Sequence, residues 1–232
     1  MRFFKRLFDG FTKFEFILWG ASSAFILIFS FAFGGVNYLY VIGSLIGATS
    51  LIFISKGKVF GQVLTVIFSL FYGLVSYSFR YYGEMITYLC MTAPIAVASV
   101  ITWLKNPYKK GENEVKVNKL SAKEYLFIIL FGVVVGAAFY FILKAFGTEN
   151  LIVSTISVVT SFTAAALTVY RSPLYAIAYA CNDAVLIVLW TLASLRSTEY
   201  VSMVVCFVVF LANDVYGFIN WTRMRKKQES EK

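Results

Sequence analysis

Eight apolar runs, near residues 16–33, 37–55, 59–79, 85–104, 124–145, 151–170, 173–194 and 200–221, occupy most of this chain. Each is about the 17–25 residues that a tilted helix needs to cross a bilayer. The breaks between them are short and carry turn chemistry: Gly34-Gly35, Lys56-Gly57-Lys58, Tyr82-Gly83, Gly147 and Ser172-Pro173. With 59% of its residues hydrophobic and 14% charged, the chain is excluded from the ordinary soluble domains. The expected fold class is an all-α membrane protein with eight transmembrane helices in a lipid bilayer.

The net charge of +9 invites a nucleic-acid reading. The basic residues instead fall at the ends of apolar runs, where the positive-inside rule accounts for them, so no nucleic-acid partner is expected. The one long connection, residues 105–123, holds Lys105, Lys109, Lys110, Lys116, Lys119 and Lys123 and is read as cytoplasmic. Eight spans then put both termini in the cytoplasm, together with Arg2, Lys5, Arg6, Lys13, Lys56, Lys58, Arg171, Arg223, Arg225, Lys226 and Lys227. On the outer side each base has an acid near it: Arg80 with Glu84, Lys144 with Glu149, Arg196 with Glu199. No small-residue cleavage site follows the first apolar run, so that run is expected to be retained.

Cys90, Cys181 and Cys206 all lie within apolar runs and show no CxxC spacing, which argues against a structural disulfide or zinc site. The absence of histidine removes the commonest metal ligand and most general-base chemistry. Neither an enzyme nor a cofactor is expected.

The long loop divides the chain into a triplet of spans, a single span and a second triplet. The expected segments are 1–35 (an N-terminal amphipathic stretch and an extra span), 36–104 (first bundle), 105–147 (basic loop and linker helix) and 148–232 (second bundle and basic tail). Both triplets begin on the same side, so a repeat relating them is parallel, an arrangement that places a transporter's site between the repeats. Each triplet has a basic turn after its first span, at Lys56–Lys58 and at Arg171. Each also ends on a Trp followed by a base, Trp103-Leu104-Lys105 and Trp221-Thr222-Arg223.

Two Asn-Asp pairs lie inside this apolar sequence. Asn182 follows Arg171 by eleven residues and Asn213 precedes Arg223 by ten, which puts both roughly 15–17 Å from one membrane face at about 1.5 Å per residue. That depth is close to the midplane of a core about 30 Å thick. Polar residues there are costly and either face a partner or line a polar cavity. Tyr175, Tyr179, Asn182 and Leu186 share one helical face; Cys206, Phe210, Asn213, Tyr216, Gly217 and Asn220 form another stripe. The first triplet offers Gln62, Thr65, Ser69 and Tyr72 on one face, with Tyr81, Tyr82 and Glu84 near its outer mouth. The candidate substrate-binding residues are Asn182, Asn213, Tyr216, Tyr175, Tyr179 and Gln62, with aromatics to stack on a flat ring and amides to bond hydroxyl or carboxamide groups. Asp183 and Asp214 point about 100° away from the asparagines and are read as helix-pairing groups. Tyr72, Tyr88 and Trp190 are read as packing.

The stretches YGEMITYLCMTAPIAVASVITWLKN (82–106), RSPLYAIAYACNDAVLIVLW (171–190) and NDVYGFINW (213–221) resemble the PnuC family of bacterial nicotinamide riboside transporters. The resemblance covers residues 37–221 in order. It implies a SWEET-like 3+1+3 fold in the bacterial inner membrane, facilitated diffusion of the riboside, and trapping by a cytoplasmic riboside kinase. Some members are trimers, which makes a homotrimer an expectation. The family's pattern Gln-Trp-x-x-Trp-x-x-x-Asn matches here at Asn182, but the earlier positions read Leu174, Tyr175 and Ala178. Asn213 and Tyr216 match without adjustment. Related branches carry thiamine, riboflavin or deoxynucleosides, and these stand as alternatives. A substrate-capture subunit of an energy-coupled vitamin importer is the rival from another class.

Overall fold

The structure is a computed structural model that describes residues 8–33, 38–78, 82–109 and 114–231. Arg2, Lys5, Arg6, the Gly34-Gly35 turn, Arg80, Tyr81 and Lys110 lie outside the described residues. The helices are α1 (Lys13–Phe33), α2 (Tyr38–Ser55), α3 (Val59–Ser78), α4 (Tyr82–Ile86), α5 (Ala93–Lys105), α6 (Ala122–Ala145), α7 (Leu151–Val169), α8 (Tyr175–Ser194) and α9 (Val201–Ser230). A π-helical segment, Thr87–Thr92, joins α4 and α5 into one rod. Among the described residues no strand forms, and only two isolated bridges appear. Six of these elements are long and apolar enough to cross a membrane: α1, the Gly83–Lys105 rod, α6, α7, α8 and α9. Two shorter apolar stretches, Val41–Ser55 and Val59–Leu74, belong to α2 and α3. The protein is a multi-pass membrane protein.

The π segment has a cause in the sequence. Pro94 lacks an N–H and its ring would crowd the carbonyl one turn before it. The chain widens instead, with the Ala93 N–H bonding back to Tyr88 O, and the span continues through the proline. Such π-bulges recur at functional sites.

Six helices close into a ring: α2 packs on α3, α3 on α5, α5 on α7, α7 on α8, α8 on α9, and α9 back on α2. Outside this ring, α1 covers the α2–α9 seam and α6 packs on α7. Close approach of α6 and α7 depends on Gly132 and Gly136; a Cβ on the latter would overlap Val159. Another face of α6, with Phe127, Leu130, Val134 and Phe141, is exposed as a lipid-facing surface requires.

The two basic turns are built by the same bonds. Gly57 (φ 64°) and Arg171 (φ 57°) both occupy the left-handed region. Gly57 N–H bonds Ile54 O and Lys58 N–H bonds Phe53 O; Arg171 N–H bonds Thr168 O and Ser172 N–H bonds Leu167 O. The two tryptophans at the triplet ends reach across the ring to these turns. Trp103 Nε1 donates to Thr168 O at 2.9 Å, and Trp221 Nε1 donates to Ile54 O at 2.8 Å. Belt anchoring explains neither bond; each Trp ties one triplet to the other.

Two expectations change in detail. The eighth run was bounded at residue 221, yet α9 continues as helix to Ser230, carrying Arg223, Arg225, Lys226 and Lys227 beyond the apolar stretch. The extension is held at Gln228, whose Oε1 accepts from Val117 N–H and whose Nε2 donates to Glu114 Oε1. The end of the long loop is held in place. Residues 114–120 form an extended strap across the basic end, with Val115 N–H on Gly57 O and Asn118 N–H on Arg171 O. Val115 and Leu120 are buried there with Trp103, Tyr175 and Trp221. Both ends of the described chain lie at this face, since Lys58 Nζ bonds Asp9 O and Lys109 pairs with Glu231.

Candidate functional site

Asn182 lies halfway along α8 and is 5% exposed. Its Oδ1 accepts from Thr160 Oγ1 of α7 at 2.8 Å, and no group among the described residues takes its Nδ2. The asparagine forms the inner end of a cavity of about 310 Å³. Its walls are the α4–π–α5 rod, the α6–α7 turn, α7 and α8. Glu84, Thr148 and Glu149 stand at the mouth, at the end away from the basic turns; Thr92, Ser157 and Ser161 lie deeper. Tyr88, Leu186 and Trp190 supply apolar and aromatic wall. A small, partly apolar cavity with a few convergent polar groups suits one compact organic ligand.

Below the cavity the ring is closed toward the basic end. Trp103, Trp221 and Tyr175 are all at most 1% exposed; the Trp rings lie 5.3 Å apart and Tyr175 lies 4.9 Å from Trp221. The strap covers this layer from outside. One end of the ring is open to mid-depth and the other is sealed.

The model of the nicotinamide mononucleotide transporter family matches residues 37–223. The chain belongs to that family. The family is one of transporters, not enzymes. The curated "Nicotinamide riboside transporter PnuC" of Neisseria mucosa is 27% identical over 98% of this chain and 88% of its own length. A protein of the same description from Haemophilus influenzae is 23% identical over 94% of each. The solved "Crystal structure of the Vitamin B3 transporter PnuC" superposes with a TM-score of 0.84 at 26% identity, covering 97% of both chains. The family match leaves out α1, which the relatives' alignments nonetheless include.

Of the six residues expected from the sequence, only Asn182 lines the cavity. Asn213 turns to the other side of α9, where its Nδ2 donates to Ser22 Oγ of α1 and to Val209 O; its Oδ1 has no partner among the described residues. Tyr216 donates to Glu15 Oε1, also on α1. Tyr175 and Tyr179 belong to the packed layer at the basic end, 6.2 Å apart. Gln62 is 2% exposed, and its Nε2 finds no acceptor among the described residues. The aspartates do meet each other: Asp183 and Asp214, both 3% exposed, lie close together across the α8–α9 interface, and Asp183 Oδ2 has no hydrogen-bond partner among the described residues.

Thr87, Thr92, Ser157 and Ser161 line the cavity without being among the residues expected from the sequence, and Tyr88 and Trp190, expected as packing, form part of its wall. The sequence does carry a signal for the hydroxyls. Ser154, Ser157 and Ser161 are three or four apart on α7, and Thr87 and Thr92 bracket the turn that Pro94 widens. Glu15 is likewise not among the residues expected from the sequence. This residue is fully buried on α1, takes Thr12 N–H at 2.5 Å in a capping box, and pairs with Lys56 Nζ at 3.0 Å.

Proposed function

We propose that this chain takes up nicotinamide riboside by facilitated diffusion, with the substrate entering the outward cavity and resting against Asn182 near the bilayer midplane. The observation that carries the reading is the asymmetry of the ring: a polar cavity reaches mid-depth from one end, and a tryptophan–tyrosine layer closes the other. The similar nicotinamide riboside transporters supply the substrate. Asn182 Nδ2 offers a donor to a ribose hydroxyl or carboxamide oxygen, and Tyr88 and Trp190 offer ring faces.

In this reading the basic end faces the cytoplasm of a bacterial inner membrane, with both termini inside. Segments 36–104 and 148–232 act as the two bundles of a SWEET-like 3+1+3 parallel repeat, supported by the matching turns at Gly57 and Arg171. Transport is a rocking of one bundle against the other around the midplane site. The α2–α9 seam, held by α1, serves as the pivot, and the α5–α7 seam, which carries the cavity, opens and closes. Gln62 Nε2 and Asn213 Oδ1 remain as polar groups for the inward-facing arrangement. A cytoplasmic riboside kinase traps the product, and the transporter assembles as a homotrimer.

Uptake of labelled riboside into proteoliposomes tests this. Saturable flux without a proton gradient is expected. No flux from the purified chain despite tight binding would favour a capture subunit, and flux that vanishes with the proton gradient would refute facilitated diffusion. Asn182→Ala is expected to weaken riboside binding at least tenfold in a monodisperse protein.

A further inference from the structure

Among the described residues that line the cavity the charges are all of one sign: Glu84 and Glu149 contribute carboxylates, and no lysine or arginine is there. The two acids differ in what they face. Glu149 forms an ion pair with Arg196 at the rim, where both side chains are about two-thirds exposed. Glu84 is partly buried, at the start of the α4–π–α5 rod, and makes no ion pair or hydrogen bond among the described residues. Tyr88 follows one helical turn later on the same wall, with its ring 4.6 Å from that of Tyr72. A carboxylate drawn partly out of water is costly, and a cation brought into the same low-dielectric space stabilises it.

We propose that Glu84 is a specificity-determining residue that reads a fixed positive charge on the substrate ring. The inference rests on the uptake reading above and adds to it the residue that recognises the ring's charge. The nicotinamide riboside ring is a pyridinium and carries that charge at every pH. A 5′-phosphate adds about −1.5 to −2 charges, which would meet two carboxylates, the Arg196 guanidinium at the rim being already engaged by Glu149. Aromatic wall beside the carboxylate favours the same ligand, because a cation is also attracted to a ring face.

The test compares nicotinamide riboside with its reduced dihydropyridine form, which has nearly the same shape and no ring charge. Binding of both is measured by calorimetry on wild-type protein, Glu84→Gln and Glu84→Asp. The ratio of cation to neutral affinity is expected to fall at least tenfold in Glu84→Gln, equal to about 1.4 kcal/mol. Glu84→Asp, which keeps the charge, is expected to retain most of the ratio. An unchanged ratio in a folded Glu84→Gln protein overturns the proposal, as does wild-type protein that binds the mononucleotide as tightly as the riboside.

The underlying reading fails separately. Wild-type protein that binds thiamine, itself a cationic ring, instead of the riboside refutes the riboside but keeps the charge-reading carboxylate. Binding of riboflavin or a deoxynucleoside in its place refutes both.

Discussion

Glu15 is the residue whose removal tests the packing of α1 most directly. It is fully buried and accepts from three directions: Thr12 N–H at 2.5 Å, Tyr216 Oη at 2.5 Å and Lys56 Nζ at 3.0 Å. Through them it joins α1 to the turn after α2 and to the middle of α9, the two helices that meet at the seam beneath it. Breaking a buried pair by removing one partner costs about 3–5 kcal/mol. The Lys56 side chain is 18% exposed and can turn partly toward water, so the lower end applies, about 3 kcal/mol for Glu15→Ala. For a chain of this length each kcal/mol moves the midpoint by roughly 2–4 °C, which gives a drop of roughly 6–12 °C in thermal unfolding in detergent.

A double-mutant cycle separates the ion pair from the rest. Glu15→Gln is expected to cost about 1–2 kcal/mol and Lys56→Met, which strands the buried Glu15 carboxylate, about 3 kcal/mol, with the double variant less than their sum by about 1 kcal/mol. Tyr216→Phe removes one charge-assisted bond and is expected to cost about 1.5–3 kcal/mol with riboside affinity unchanged. A Glu15→Ala midpoint within 2 °C of wild type, or strictly additive losses in the cycle, would refute the clip reasoning. Loss of riboside affinity in a stable Tyr216→Phe protein would restore Tyr216 to the substrate.

Three further outcomes follow from the same structure. Trp103→Phe and Trp221→Phe each strip a buried carbonyl of its donor and are expected to cost about 1–2 kcal/mol, equal to within about 0.5 kcal/mol; denaturant midpoints that differ grossly would break the equivalence of the two turns. Asp214→Asn keeps an N–H for Asp183 and is expected to unfold within about 1 kcal/mol of wild type, whereas Asp214→Ala strands the buried Asp183 and loses about 2–3 kcal/mol. Gly136→Val forces a side chain into Val159 and is expected to cost about 1–3 kcal/mol, while the neighbouring exposed Val134→Ala leaves the midpoint in place.

Much of the fold is legible along the chain because burial in lipid imposes length and composition locally. The helices, the basic turns at Lys56–Lys58 and Arg171, and the Trp that ends each triplet all follow from runs, breaks and charges a reader can count. The candidate site was legible only in depth. Asn182 and Asn213 were read as lining one site because both lie at mid-depth on neighbouring helices. Depth follows from residue number and rise per residue, but the direction a side chain faces depends on how each helix is rotated against its neighbours. Periodicity shows which residues share a face. It does not show whether that face meets α7, α1 or a cavity.

Here the rotation reverses the expectation drawn from the two Asn-Asp pairs. The faces of α8 and α9 that meet carry Asp183 and Asp214, so the aspartates come together and the asparagines part, one toward Thr160 and the other toward Ser22. The cavity then forms where the first triplet offers Glu84, Tyr88 and a π-widened turn, and the second Asn182 and a row of serines. The serines and threonines are not expensive enough to stand out, because a Ser or Thr hydroxyl in a helix can bond a carbonyl of the preceding turn. What the sequence by itself determined is that the chain folds into apolar helices and where they break, because these depend on the chain's own length and its transfer from water to lipid. Which polar residues face one another, which face the cavity and which end is sealed were decided only by the tertiary structure, because helix rotation is set by side chains brought together from distant parts of the chain.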